Sequence, residues 1–292
     1  MTDWDRIAGE IGDVTGDAFR PGAPRSMGGG CINTAVKLCE GERCYFVKLN
    51  DARQLAMFDA EYEGLAEMAG AEAIRVPQPL CTGSDGREAW IAMEYIPLGR
   101  PSSQSQAEAG AQLAAMHRQR SEEFGWHRDN TIGSTPQPND WTAGWVHFWR
   151  VHRLGFQLEL AASHGYTGRL QDLGARLLGE IPSFVDHDPQ PSLLHGDLWG
   201  GNIGYDPEGT PVIFDPAVYY GDREADLAMT ELFGGFGGDF YAAYNEVWPL
   251  DAGYRVRKTL YNLYHILNHL NLFGGGYGGQ AVGMMERLLA EV

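Results

Sequence analysis

From residue 35 to residue 96 the apolar positions fall into short runs cut by turn residues, and beyond residue 103 they recur every three or four positions. The first regime is that of strands, the second that of amphipathic helices. Ala35-Val-Lys-Leu38 and Cys44-Tyr-Phe-Val-Lys-Leu49, joined at Glu40-Gly41-Glu42, predict a hairpin. Residues 53–69 follow as a helix, with Leu55, Phe58, Tyr62, Leu65 and Met68 on one stripe. Val76-Pro-Gln-Pro and Gly83-Ser-Asp-Gly86 punctuate a further hairpin ending in the strand Ala89–Ile96, and Pro97-Leu-Gly-Arg-Pro101 reads as a linker. Helices are expected over 103–119, from Trp141 to about His164, and over 168–181, 237–247, 252–272 and 280–291. One short amphipathic segment (Trp4, Ile7, Ile11, Val14) precedes the strands. The pattern predicts an α+β fold of two lobes, a small antiparallel-sheet lobe over 1–97 and a larger, mostly helical one over 98–292.

One stretch interrupts the helical half. Leu193-Leu194 runs into His195-Gly-Asp197-Leu-Trp199-Gly-Gly-Asn202, and Ile213-Phe214-Asp215 closes the next apolar run. Between them Ile203 and Tyr205 on one arm, Val212 and Phe214 on the other, flank the turn Asp206-Pro-Glu-Gly209. A hairpin returns its ends to one place, so Asn202 and Asp215 should meet beside Asp197. Phosphoryl transfer from ATP to a hydroxyl needs that trio. One carboxylate accepts the hydroxyl proton, while an amide oxygen and a second carboxylate hold Mg²⁺ against the phosphates. The alternative, that His195 and Asp197 only shape a turn, requires all three residues to fall at this spacing by accident.

The first lobe supplies matching parts. Gly28, Gly29 and Gly30 lead into a strand, where backbone N–H groups can approach a polyphosphate without Cβ interference. Lys48, closing the next strand, is in place to pair with the phosphates. Glu61 on the following helix is expected to hold Lys48, with Glu63 as the alternative. The strand exit Met93, Glu94, Tyr95 and Ile96 stands where kinases offer backbone groups to adenine. Kinase-like folds place an aspartate in such a helix-opening run (Asp222-x-x-x-Asp226-Leu-Ala) to hydrogen-bond the backbone of the catalytic loop, so Asp226 is assigned that structural role, and His195 a structural place beside it. Asp222 reads as an N-cap.

Composition narrows the class. At 292 residues, 43 % hydrophobic and 21 % charged, the chain has the make-up of an ordinary globular protein. No apolar run reaches the ~18 residues of a membrane span, and Met1-Thr-Asp-Trp-Asp-Arg lacks a basic start, so the expected location is the cytoplasm. A formal charge of −17 argues against a nucleic-acid partner. The four cysteines suggest neither a disulfide framework nor zinc. Cys31 follows the three glycines, where backbone N–H groups and Lys48 favour its thiolate, and is read as a possible redox switch that could link a monomer into a homodimer. Cys39, Cys44 and Cys81, on predicted strands or their ends, are expected to be inert. The aromatic set Trp141, Trp145, Phe148, Trp149 and Phe156 is expected to be core, and His265 and His269, four apart on a helix, to pack or hydrogen-bond.

Three runs together resemble one family: Leu194-His-Gly-Asp-Leu-Trp-Gly-Gly-Asn202, Phe214-Asp-Pro-Ala-Val-Tyr-Tyr-Gly-Asp-Arg-Glu-Ala-Asp-Leu-Ala-Met229 and Leu260-Tyr-Asn-Leu-Tyr-His-Ile-Leu-Asn-His-Leu-Asn-Leu-Phe-Gly274. They are similar to the fructosamine (ketosamine) 3-kinases, in the aminoglycoside-phosphotransferase-like branch of the protein-kinase fold. The resemblance covers nearly the whole chain. It implies a bilobal kinase-like fold and ATP- and Mg²⁺-dependent phosphorylation of the 3-hydroxyl of a ketoamine, whose breakdown then frees the amine. On it, Asp197 is the base, Asn202 and Asp215 are the metal ligands, Lys48 and Glu61 the phosphate-positioning pair, and Met93 to Ile96 the adenine-contacting exit. Trp199 is placed where it could border the acceptor sugar. The runner-up reading is a kinase of the same fold acting on an aminoglycoside or choline-like alcohol, and a further one a nucleotide-binding scaffold without turnover.

Overall fold

The computed structural model describes residues 2–28 and 32–292. Gly29, Gly30 and Cys31, expected in the phosphate loop and the redox switch, lie outside the described residues. Helix α1 (Trp4–Thr15) precedes a five-stranded antiparallel sheet formed by β1 (Arg25–Met27), β2 (Thr34–Glu40), β3 (Arg43–Asp51), β4 (Pro79–Ser84) and β5 (Glu88–Glu94). The strand order is β1-β2-β3-β5-β4, and α2 (Leu55–Gly70) sits between β3 and β4 in sequence.

Alternation on β5 explains why both faces of the sheet are covered. Trp90 and Ala92 turn toward α1, joining Ile7, Ile11, Leu38 and Val47 in a small core. Ala89, Ile91 and Met93 turn the other way, toward Phe58, Leu65 and Met68 of α2. Successive strand residues face opposite sides, so one apolar run serves two helices. The β2–β3 hairpin turns at Gly41, which takes φ +62°, and its register puts Lys48 opposite Ala35.

That register corrects the cysteine reading. Cys39 and Cys44 are direct cross-strand partners and form a disulfide. As an isolated pair five residues apart they gave no framework pattern in the sequence; only the hairpin register brings the two sulfurs together. Cys81 is free and half-buried, and burial pushes its thiol up to about 12.

Beyond the sheet come α3 (Ser103–Met116), a short hairpin of β6 (Asn130–Ile132) and β7 (Thr135–Gln137), α4 (Trp145–Phe148), α5 (Phe156–Ser163) and α6 (Arg169–Phe184). Then β8 (Ser192–Leu194), β9 (Ile203–Tyr205), β10 (Pro211–Ile213) and β11 (Tyr219–Gly221) lead to α7 (Glu224–Leu232), α8 (Gly238–Val247), α9 (Tyr254–Phe273) and α10 (Tyr277–Leu289). Ser102 and Ser105 cap α3 reciprocally, each side chain meeting the other's backbone N–H. Helix α9 is buried nearly all round and forms the axis of this half.

The single helix expected from Trp141 to His164 is instead α4, a π-helical segment (Trp149–Gly155) and α5. Trp141 stays outside it and 42 % exposed, whereas Trp145, Phe148 and Trp149 are core. At Gly155 an added Cβ would lie 2.5 Å from the Arg150 carbonyl oxygen, so the wide turn closes on a glycine. Within it Arg153 is fully buried, donating to Pro138 and Asn139 and stacking over the Tyr219 ring at 4.0 Å.

Arg75 joins the halves. It donates to Glu94 at the end of β5 and to Asp206 in the β9–β10 turn, both at 2.7 Å.

Candidate active site

Strand β8 delivers the chain into His195-Gly196-Asp197, and β11 pairs alongside it, Tyr219 opposite Leu194. Gly196 has φ +82°, and a Cβ there would sit 2.0 Å from the Ala217 carbonyl oxygen, so this close approach requires glycine. The His195 ring donates from Nε2 to the Phe214 carbonyl at 2.9 Å and accepts the Asp197 N–H at Nδ1, which fixes a neutral tautomer. Burial lowers its pKa, in keeping with that state. Asp226 lies beneath the turn, accepting the N–H groups of His195 (2.7 Å) and Gly196 (2.8 Å). His117, the C-cap of α3, binds Asp226 at 3.2 Å and Tyr244 of α8 at 2.8 Å. The sequence reading did not single out His117 or Tyr244; His117 lies 127 residues from Tyr244 and 109 from Asp226 along the chain.

The β9–β10 hairpin forms as expected, Ile203 opposite Ile213, and brings Asn202 to Asp197 and Asp215. The Asn202 amide donates to the Asp197 carbonyl at 2.8 Å and lies 3.5 Å from that of Asp215. Its Oδ1 has no partner among the described residues. Asp215 has φ +59°, a conformation non-glycine residues seldom adopt, and such strain clusters at functional sites.

Across the cleft, Lys48 is ion-paired with Glu61 at 2.6 Å and with Asp215. Glu63 is engaged elsewhere, with Arg128 and His127. Burial disfavours the Lys48 charge, but Asp215 and Glu61 outweigh it and raise the pKa above the ordinary lysine value. Burial raises the Glu61 carboxyl against the pull of Lys48. Asp197 is held well above the usual carboxylate range, first by burial, then by the charges of Asp215 and Asp226, with the Asn202 hydrogen bond opposing. An oxygen pair of one carboxylate and one amide fits a hard cation such as Mg²⁺.

Gly28 is exposed just after β1, and among the described residues nothing lies within 4 Å of where its Cβ would be. In the strand exit Met93 is buried, Glu94 is held by Arg75, and Tyr95 lies 3.7 Å below the Lys37 ammonium. The side chains of Met93 to Ile96 do not line the central cleft, and Tyr95 and Ile96 lie beyond the last ladder pair, Tyr45–Glu94. The cleft has a volume of about 550 Å³ and is lined by Lys48, Glu61, Asp197, Asn202 and Asp215. Trp199, Phe233, His265, His269 and Tyr277 line it as well. Trp199 is 39 % exposed and meets Phe233 edge-on, and the His269 ring packs against Phe233, Phe273 and Tyr277. His269 also bonds the His265 carbonyl through Nδ1, which leaves its Nε2 as an acceptor. A larger open groove of about 790 Å³ beside α1 assembles no lysine–carboxylate–amide set.

The family model for fructosamine kinase matches residues 3–291. The chain belongs to the fructosamine kinase family. It is 50 % identical over 288 residues to a probable ketoamine kinase of Synechocystis sp., covering 98 % of this chain and 97 % of that one. It is 43 % identical over 290 residues to the chloroplastic protein-ribulosamine 3-kinase of Oryza sativa subsp. indica, covering 98 % of this chain and 82 % of that protein. A crystal structure from Haemophilus somnus 129PT, described as that of a "putative fructosamine-3-kinase", superposes with a TM-score of 0.90 at 28 % identity, covering 98 % and 97 % of the two chains. Like its family, this protein is an ATP-dependent kinase with the bilobal protein-kinase-like fold. Among the described residues no helix is long and apolar enough to cross a membrane.

Proposed function

We propose that this kinase transfers the γ-phosphoryl group of ATP to the 3-hydroxyl of ketosamines, the ribulosamine, erythrulosamine or fructosamine adducts of amines, and so acts in deglycation, in the cytoplasm. The observation that carries this reading is one cleft lined by Asp197, Asn202, Asp215 and the Lys48–Glu61 pair together with the aromatic side chains of Trp199, Phe233 and Tyr277. The rice relative's description as a protein-ribulosamine 3-kinase supports the substrate class.

In this reading Asp197 orients the acceptor hydroxyl and takes its proton. A carboxyl whose pKa is raised by burial and like charge is suited to accepting a proton. Asp226 and His195 hold the loop that carries it. Lys48, kept charged between two carboxylates, pairs with the phosphates. Asn202 Oδ1 and the Asp215 carboxylate would hold Mg²⁺, which neutralises phosphate charge when bound. Gly28 to Gly30 would cover the phosphates, and the backbone past Glu94 would meet adenine. Trp199 and Phe233 flank the place of the sugar, with His269 Nε2 offering an acceptor to its hydroxyls. Initial rates of ATP-dependent phosphorylation on the three ketosamines, with an aminoglycoside and choline as controls, test this. Ketosamine turnover is expected. Turnover of only the control alcohols would overturn it.

A further inference from the structure

Asp222 does more than open α7. Its Oδ1 accepts the Glu224 N–H at 3.1 Å, as a capping residue's would, but Oδ2 accepts the Tyr261 hydroxyl and meets His187 Nε2 at 2.8 Å. His187 comes from the segment between α6 and β8, and Glu224 begins α7. One donor atom from each of His187, Asp222 and Glu224 lies within 4.8 Å of the others, and both carboxylate residues are 2 % exposed. The three line a separate cavity of about 190 Å³.

Two features distinguish this cluster from a closed ion-pair network. The first is charge. Asp186, Glu224 and Asp251 share one guanidinium, that of Arg257, while Asp222 is bonded by Tyr261 and His187 instead. Arg223, which lines the same cavity, donates to the Tyr244 hydroxyl and to the carbonyls of Trp248 and Pro249 and to none of these carboxylates. The second is an unmet hydrogen bond. Ser192 is fully buried, lines the same cavity, and its hydroxyl has no partner among the described residues; His187 Nδ1 is likewise buried and without one. Buried polar atoms left so cost stability unless a ligand or water completes them.

We propose that His187, Asp222 and Glu224 form a binding site for a divalent transition-metal cation, distinct from the Mg²⁺ site proposed at Asp215. An imidazole with two carboxylates suits Zn²⁺ or Mn²⁺, whereas Mg²⁺ favours all-oxygen ligation with retained water. Each carboxylate keeps a lone pair beyond its present bonds. Arg257, bound to both Glu224 oxygens at 2.6 and 3.0 Å, and Tyr261 orient the two ligands from behind. Ser192 Oγ is placed to bond a water on the metal. The ion would tie the segment leading into β8, and hence the turn that carries Asp197, to the start of the helix that carries Asp226.

The test is calorimetric titration of the chelator-stripped full chain with Zn²⁺ in a large excess of Mg²⁺, which saturates exposed acidic groups. One equivalent is expected to bind the wild type, at least tenfold more weakly to His187→Gln, and undiminished to Asp215→Ala. Equal binding by wild type and His187→Gln would overturn the proposal, as would no saturable binding. Should His187→Gln fail to fold, Zn²⁺-soaked wild-type crystals decide: an anomalous peak among His187, Asp222 and Glu224 supports the site, and a peak elsewhere or none overturns it.

Discussion

Asp197→Asn is nearly isosteric and keeps the Asn202 contacts, so nucleotide affinity should survive while phosphorylation falls about 10²–10⁴-fold, the usual cost of removing a positioned base. Steady-state rates beside calorimetric ATP binding check it; a variant keeping a third of wild-type turnover would remove Asp197 from the role of base. Asp215→Ala separates metal from scaffold: Mg²⁺-dependent ATP binding should weaken more than adenosine binding, because adenosine lacks the phosphates a metal would bridge. Equal losses would make Asp215 a purely structural residue. At this scale the sequence was most legible where polarity and spacing meet. Asp197, Asn202 and Asp215 are placed by a hairpin whose turn is written in Asp206-Pro-Glu-Gly209, and Glu61 by helical phase. His117 left no such trace. It ends a helix far from Asp226 in sequence, and only the tertiary fold makes it a partner.

Among the elements, strands and helices with plain periods were readable, and the failures have local causes. Strands β6, β7 and β11 were not read, whereas β9 and β10, equally short at three residues each, were, because the turn Asp206-Pro-Glu-Gly209 marks their pairing. The π-helical segment keeps the apolar look of a helix, so the interruption at Trp149–Gly155 is invisible until the Gly155–Arg150 approach is seen. Gly155→Ala should therefore push a Cβ against backbone that cannot swing aside. A loss of about 1–3 kcal/mol, the usual cost of overpacking, is expected in urea unfolding, with disturbance of the buried Arg153–Asn139 contact. Unchanged stability would mean the wide turn is not needed. The Cys39–Cys44 bond was missed for the same kind of reason, since pairing across a hairpin depends on register rather than composition.

The whole molecule has an acid-sensitive centre. Burial holds His265 on α9 down at about 3, with His269 adding to the effect. Below about pH 6.5 the unfolded chain takes up a proton that the folded chain resists, so stability falls with pH from there until the folded value is reached, by roughly 1 kcal/mol per unit. His265→Gln should lose less stability than wild type between pH 7.5 and 5.5 in urea titrations; equal losses would show that His265 is not the sensitive group. The central claim concerns chemistry, and the most direct measurement is the site of phosphorylation itself. Incubated with ATP, Mg²⁺ and a ribulosamine or fructosamine, the wild type should yield a product whose phosphorus couples in ³¹P–¹H NMR to the proton on C3, and Asp197→Asn should yield almost none. Phosphate found on another hydroxyl, or no ketosamine product from the wild type, would contradict the account.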